Sequence, residues 1–268
     1  MYQQALKVNY PNAIEKEYEI ALLRLVKDIY MIIIKEIVNI NAEYDHTIRK
    51  DAFNDDFQGI IKLCELKISF ELKKFFTKII QTATKTNKFN QIAVRKSLVS
   101  TAKKSLSIGT TAKIEDAMSM FVSDNVRLIK SINQDLLGKV EEVVYSGIRR
   151  GVSFKDLSNE LVKSFTITKK RANIIARDQI NKLHGDLTRL RHKELGIVEY
   201  KWLTSLDSRV RPSHEVLNGR ICSYNDVTLY KDDVDDKVWS NRSSIGGALY
   251  HPAQEVLCRC TMLAVIKN

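Results

Sequence analysis

The 268-residue chain carries 43 lysines and arginines against 32 aspartates and glutamates, a formal net charge of +11, with 44% apolar and 28% charged residues. That balance excludes a disordered chain, a collagen and an ordinary transmembrane protein. Four cysteines in so long a chain do not make a disulfide-stapled secreted scaffold.

The start, Met1–Lys7, lacks the apolar core of a signal peptide. The most apolar stretch, residues 21–40, carries Arg24, Lys27, Asp28, Lys35 and Glu36, which a bilayer centre penalises. Leu22, Leu25, Ile29, Ile33 and Ile37 recur there every three or four residues, the stripe of a packed amphipathic helix. The expectation is a cytosolic or assembly-bound protein with no membrane contact.

Proline occurs only at 11, 212 and 252, so none interrupts a helix between the first two. Residues 13–82 read as helical, with a second clear segment over 57–80 whose apolar face is wider than a coiled-coil seam. Cys64 sits there as a buried small apolar residue. The section 73–113 follows, with ten basic residues and no acidic one. Lys73, Lys74, Lys78, Lys85, Lys88, Arg95, Lys96, Lys103, Lys104 and Lys113 form either a solvated face or a surface that tracks DNA phosphates or an acidic partner. No base-reading motif accompanies them, so if nucleic acid is bound, backbone contact is the expected mode.

A further helix is predicted over 113–150. Ser153 and Asp156 make a capping box for a short helix through Val162. Residues 164–168 read as a connector, and a last helix runs to about Glu194 with Gly196 as its stop. Strands are then predicted over 197–204 and 255–266, with turns at Asn218-Gly219 and Gly246-Gly247. The fold class is α+β: a long, mainly helical region, 1–150, then a small mixed domain, 151–268.

Polar landmarks crowd the second region. On a strand, Cys258 and Cys260 would share one face, so two soft donors could meet one metal. His214 or Cys222, with His251, could complete a zinc set. The competing reading packs the cysteines as small apolar groups, and no bound metal or other cofactor is the adopted expectation. Arg177, Asp207 and His214 can be written as an enzyme site for a nucleotide or phosphorylated substrate, but no catalytic motif frames them. The favoured reading of the arginines is structural, each locked to Asp178, Asp207 or Glu255.

The order of these blocks resembles a known family. Ala172-Asn173-Ile174-Ile175-Ala176-Arg177-Asp178-Gln179, then Asn181, then Lys201-Trp202, then Ser205-Leu206-Asp207-Ser208-Arg209-Val210-Arg211-Pro212-Ser213-His214, Leu217-Asn218-Gly219, Tyr250-His251-Pro252 and Glu255-Val256-Leu257-Cys258-Arg259-Cys260 are similar to the phage minor head proteins related to protein F of phage Mu. The family usually places threonine and glutamate where Asp178 and Gln179 stand. Some relatives carry cysteines where this chain has Arg211 and His214, which makes His214 the third ligand if a metal is bound.

The resemblance spans 165–266 and implies a non-enzymatic virion component. It would lie inside the capsid at the portal after assembly in the host cytoplasm. Its partners would be the portal protein, other head or scaffolding proteins and the backbone of double-stranded DNA. It would assist head assembly and the packaging or delivery of DNA. Relatives can carry fused enzymatic domains, and none is expected here. The implied structural cluster is Arg177, Asp178, Asn181, Trp202, Asp207, Arg209, Asn218, Gly219 and Arg259. A soluble, sequence-independent DNA-binding accessory protein is the remaining alternative.

Overall fold

The computed structural model describes residues 2–43, 50–102, 108–150 and 154–267. A short strand, β1 (Tyr2–Gln4), precedes four long helices: α1 (Asn12–Glu43), α2 (Lys50–Ala102), α3 (Ala112–Arg150) and α4 (Phe154–Glu194). Then come β2 (Glu199–Leu203), α5 (Pro212–Glu215), β3 (Ile221–Ser223), β4 (Leu229–Lys231), β5 (Ser240–Asn241), a 3₁₀ turn at Arg242–Ile245, and β6 (Thr261–Lys267). The architecture is the expected α+β. Among the described residues, no helix is long and apolar enough to cross a membrane.

Helix limits follow local chemistry. Pro11 stands just before α1, and its carbonyl accepts from Ile14 and Glu15. Such a position suits a residue that has no N–H to place. Gly196 ends α4 in the left-handed region (φ 74°). The N–H groups of Gly196 and Ile197 close onto the carbonyls of Lys193 and His192, satisfying the last turn.

One predicted break is absent. Residues 164–168 are helical, inside α4. Ser164, Thr166 and Thr168 turn their hydroxyls onto the carbonyls of Glu160, Val162 and Ser164 at 3.3, 3.0 and 3.0 Å. The residues that suggested a connector therefore satisfy their polar groups without leaving the helix. The capping box proposed for Ser153 lies outside the described residues, as do Gly151, Lys103 and Lys104.

The chain forms two compact units: Lys16–Gln81 with Val122–Ala176, and Met1–Glu15 with Thr82–Phe121 and Arg177–Asn268. Position 150, the expected divide, lies inside the first of these units. The units interleave along the chain because every long helix contributes residues to both.

The helical unit buries Tyr18, Leu22, Leu25, Ile29 and Ile33 of α1 with Phe57, Ile61, Cys64 and Ile68 of α2. Ile129, Ile132, Leu136 and Val140 of α3 join them. Tyr18 donates to Asn125 at 2.7 Å, and Tyr30 stacks on Phe165 at 4.2 Å. The wide apolar face of α2 is only partly covered: Leu66, Phe70, Phe76 and Ile80 are exposed.

The second unit contains an antiparallel sheet in the order β1-β6-β2-β3-β4-β5. Trp202 pairs with Met262 and Tyr200 with Ala264 across β2 and β6. Alternation sends Tyr200, Trp202, Cys222, Met262 and Ala264 to one face, where they pack with Ala5, Val8, Val94 and Leu98. Ile221 and Val265 face the other way, with Val234 and Trp239. Trp202 has no exposed surface, and burying a side chain of that size contributes about 2–3 kcal/mol.

The last strand is shorter than predicted. It covers Thr261–Lys267, and residues 255–260 form a turn and an extended approach. Cys258 and Cys260 therefore do not lie on a strand. Backbone groups that a strand would pair are taken by α4: Leu257 N–H donates to Asp178 Oδ1 at 2.8 Å, and Asn181 Nδ2 donates to the Cys258 carbonyl at 2.6 Å.

Candidate metal centre

Two loops of the sheet unit deliver the site. The first follows β2 and leads into α5, where Pro212 sets the first turn and His214 points inward, 2% exposed. The second runs from Tyr250 to Cys260. Its course is constrained: among the described residues, the non-glycine positions with positive φ are Leu206, Ala253 and Leu257, and the last two lie in this loop. Such conformations cost about 1–3 kcal/mol each and persist where neighbours enforce them. At Leu257, Asp178 and Asn181 do so through the bonds given above.

The loops bring His214 Nδ1 to 3.2 Å from Cys260 Sγ and 3.7 Å from Cys258 Sγ. All three side chains are buried, and their donor atoms lie within 4.8 Å of one another. On its far side, His214 Nε2 is 3.0 Å from Glu255 Oε2 and 3.1 Å from the Tyr250 hydroxyl. The Tyr250 hydroxyl donates to Glu255 Oε2 at 2.6 Å. A carboxylate only accepts, so the network assigns the proton to Nε2 and leaves the Nδ1 lone pair facing the sulfurs.

Charge in the site is arranged around the sulfurs. The hydrogen bond from Cys260 holds the Cys258 thiol below its ordinary range, and the same shared proton raises Cys260. Ala253 N–H donates to Cys258 Sγ at 3.4 Å. A weak interaction from the buried Trp202 Nε1–H favours the Cys260 thiolate. Burial opposes the charge of Glu255, but the Tyr250 bond and nearby Arg211 outweigh it and lower its pKa.

The other candidate residues occupy separate places. Cys222 lies on β3, fully buried, opposite Tyr200. His251 Nδ1 is 3.0 Å from the Tyr200 hydroxyl. Neither joins the three-donor group. Arg259, between the two cysteines, forms a two-bonded ion pair with Asp207, which also bonds Arg209. These bonds, Arg259's first, hold the Asp207 carboxyl well below the usual range.

Asn218 Oδ1 accepts from Thr204 N at 3.0 Å. Gly219, at φ 81°, donates to the Trp202 carbonyl at 2.8 Å. Asp178 is paired with Lys182 at 2.8 Å. Arg177 is exposed and lines a cavity of about 240 Å³ with Tyr10, Glu15, Asp178 and Asn181. Arg177 shares that cavity with Cys258, Arg259 and Cys260, whereas His214 is buried and bonded through Nε2 to Glu255 and Tyr250.

Residues 138–263 match the family described as Phage Mu protein F like protein. The matched stretch holds the end of α3, all of α4, both site loops and the start of β6, so the Mu F-like region contains every residue of the centre. It excludes the basic section. The chain is also 36% identical over 155 residues to an uncharacterized protein of Haemophilus influenzae. That alignment covers 58% of this chain and 31% of the relative, so the chain spans about a third of the relative's length. No solved structure matches the chain.

Two residues of the Mu F-like region escaped sequence reasoning. Glu255 was read only as an arginine's partner. Gly185, in the middle of α4, was not singled out. A Cβ there would lie 2.5 Å from Ala253 Cβ, so glycine lets the helix meet the cysteine-bearing loop. The signal was present in the sequence: a glycine inside an otherwise helical stretch marks close approach.

Proposed function

We propose that this chain is a non-enzymatic minor head protein of a phage, acting in head assembly at the portal. The match of residues 138–263 to the Mu F-like family carries this reading. The packed, bonded surroundings of His214 favour a scaffold over a catalytic pocket. In this reading the protein is a virion component inside the capsid and assists packaging or delivery of DNA.

The helical unit supplies the partner surface. Leu66, Phe70, Phe76 and Ile80 of α2 are large, apolar and exposed, and contact with the portal or another head protein would remove them from water. On the α2 segment of the sheet unit, Lys85, Lys88, Arg95 and Lys96 are exposed, while Ala83, Asn90, Val94 and Leu98 are buried. That solvent face suits the phosphate backbone of double-stranded DNA.

Co-expression with the portal protein of the same phage tests the proposal. Capture of the portal should bring down the intact chain, and a variant with Phe70 and Phe76 changed to serine should be lost from the complex. Capture of portal without the intact chain would defeat the portal assignment.

A further inference from the structure

We propose that His214, Cys258 and Cys260 together bind one zinc ion that staples the α5 loop to the loop before β6. The argument starts from distances. With Zn–S near 2.3 Å and Zn–N near 2.0 Å, the sulfur-to-nitrogen edge of a tetrahedral shell is about 3.6 Å. The two observed Nδ1–Sγ distances, 3.2 and 3.7 Å, bracket that edge. With the two sulfurs also within 4.8 Å of each other, the three donors suit one face of such a tetrahedron.

Hydrogen bonding accounts for the arrangement less completely. The Nδ1 atom has one lone pair and can accept from one thiol, yet two sulfurs face it. A cation bound by all three uses every donor at once. Two sulfurs and an imidazole select zinc over the hard cations magnesium and calcium, which prefer oxygen.

The surroundings of the donors are those of a ligand set. Glu255 receives the second imidazole N–H, the carboxylate–histidine arrangement that orients a metal-bound ring. Asp178 and Asn181 fix the backbone on either side of the Leu257–Cys258 peptide, so the sulfurs are positioned by the protein. Among the described residues, no fourth histidine, cysteine or carboxylate joins the group. The cavity of about 240 Å³ is lined by both cysteines and has room for a water as the fourth donor. The inference stands on geometry alone and does not depend on a role in phage heads.

The full chain, produced with zinc in the medium and purified under reducing conditions without chelator, provides the test. Elemental analysis should give one zinc per chain for the intact protein and for Cys222→Ser. The double variant Cys258→Ser, Cys260→Ser should hold less than a tenth of that. Because the double variant can fail to fold, cobalt(II) titration of the intact chain gives a second readout. It should show thiolate-to-cobalt charge transfer and the intense visible bands of a tetrahedral ion. Glu255→Gln should weaken metal affinity roughly ten- to hundred-fold. An intact chain that takes up no zinc and leaves cobalt as the aquo ion would overturn the proposal. So would a full equivalent of zinc in the double variant, or its loss from Cys222→Ser.

Discussion

Asn181, on α4, donates its side-chain amide to the carbonyl of Cys258 at 2.6 Å. Asp178, about one turn earlier, accepts from the Leu257 N–H at 2.8 Å. The helix motif and the cysteine motif, far apart in sequence, are thus two halves of one clamp. Asp178→Ala orphans the Leu257 N–H and removes the Lys182 partner, and should cost about 1–3 kcal/mol. Denaturant unfolding followed by tryptophan fluorescence checks this, since Trp202 lies in the same core; an unchanged midpoint would contradict the clamp.

Gly185 and Gly138 make a controlled pair. Both are interior to helices, where alanine is favoured over glycine by about 1 kcal/mol. A Cβ at Gly138 meets nothing within 4 Å, whereas one at Gly185 meets Ala253 Cβ at 2.5 Å. Gly138→Ala should stabilise the chain by about 0.5–1 kcal/mol. Gly185→Ala should destabilise it by about 1–3 kcal/mol, because the overpacked contact exceeds the propensity gain. Thermal unfolding of the two variants should move in opposite directions.

These contacts show what the sequence could and could not reveal. The long helices were legible from apolar spacing and the proline-free interval. The convergence of Cys258 and Cys260 was anticipated for a wrong local reason: they lie on a turn and its exit, with the positive φ of Leu257 enforced by α4. No local pattern announces that a helix will take a strand's hydrogen bonds. The hydroxyl-rich stretch 164–168 misled because propensity does not say whether a threonine bonds back into its own helix. Strand β1 is three residues long, too short for alternation to register; it exists because β6 offers an edge. Cys222 and His251 had plausible ligand chemistry, and only the fold shows that Tyr200 lies beside both.

Acid should destabilise this protein steeply. Burial lowers His184 and His192 to about 4, with Arg191 adding to the effect at His184. Burial, then Arg189, Arg242 and Lys193, lower His251 to about 3. The unfolded chain takes up these protons near pH 6.5 and the folded chain does not. Stability is therefore complete above about pH 6.5 and falls as pH drops toward 4, at up to about 1.4 kcal/mol per pH unit for each histidine. Urea midpoints at pH 7 and pH 5 measure the fall, and His192→Phe should reduce it. Equal midpoints at the two values would contradict the burial of neutral histidines.

Lys88, Arg95 and Lys96 are exposed on α2, and changing all three to glutamine should weaken sequence-independent DNA binding. Each lost phosphate contact should lower the slope of log affinity against log salt by about 0.9. Far-ultraviolet circular dichroism should stay unchanged, because the buried face of the helix is untouched. An unaltered salt slope would place any DNA contact elsewhere.

Quantitative mass spectrometry of heads, purified from cells that produce phage particles together with this chain, bears most directly on the proposed role. The account predicts the chain in every head preparation, at a few copies and in fixed ratio to the portal protein. It also predicts that the ratio falls when Phe70 and Phe76 are changed to serine. Heads that assemble, fill with DNA and contain none of the chain would contradict it.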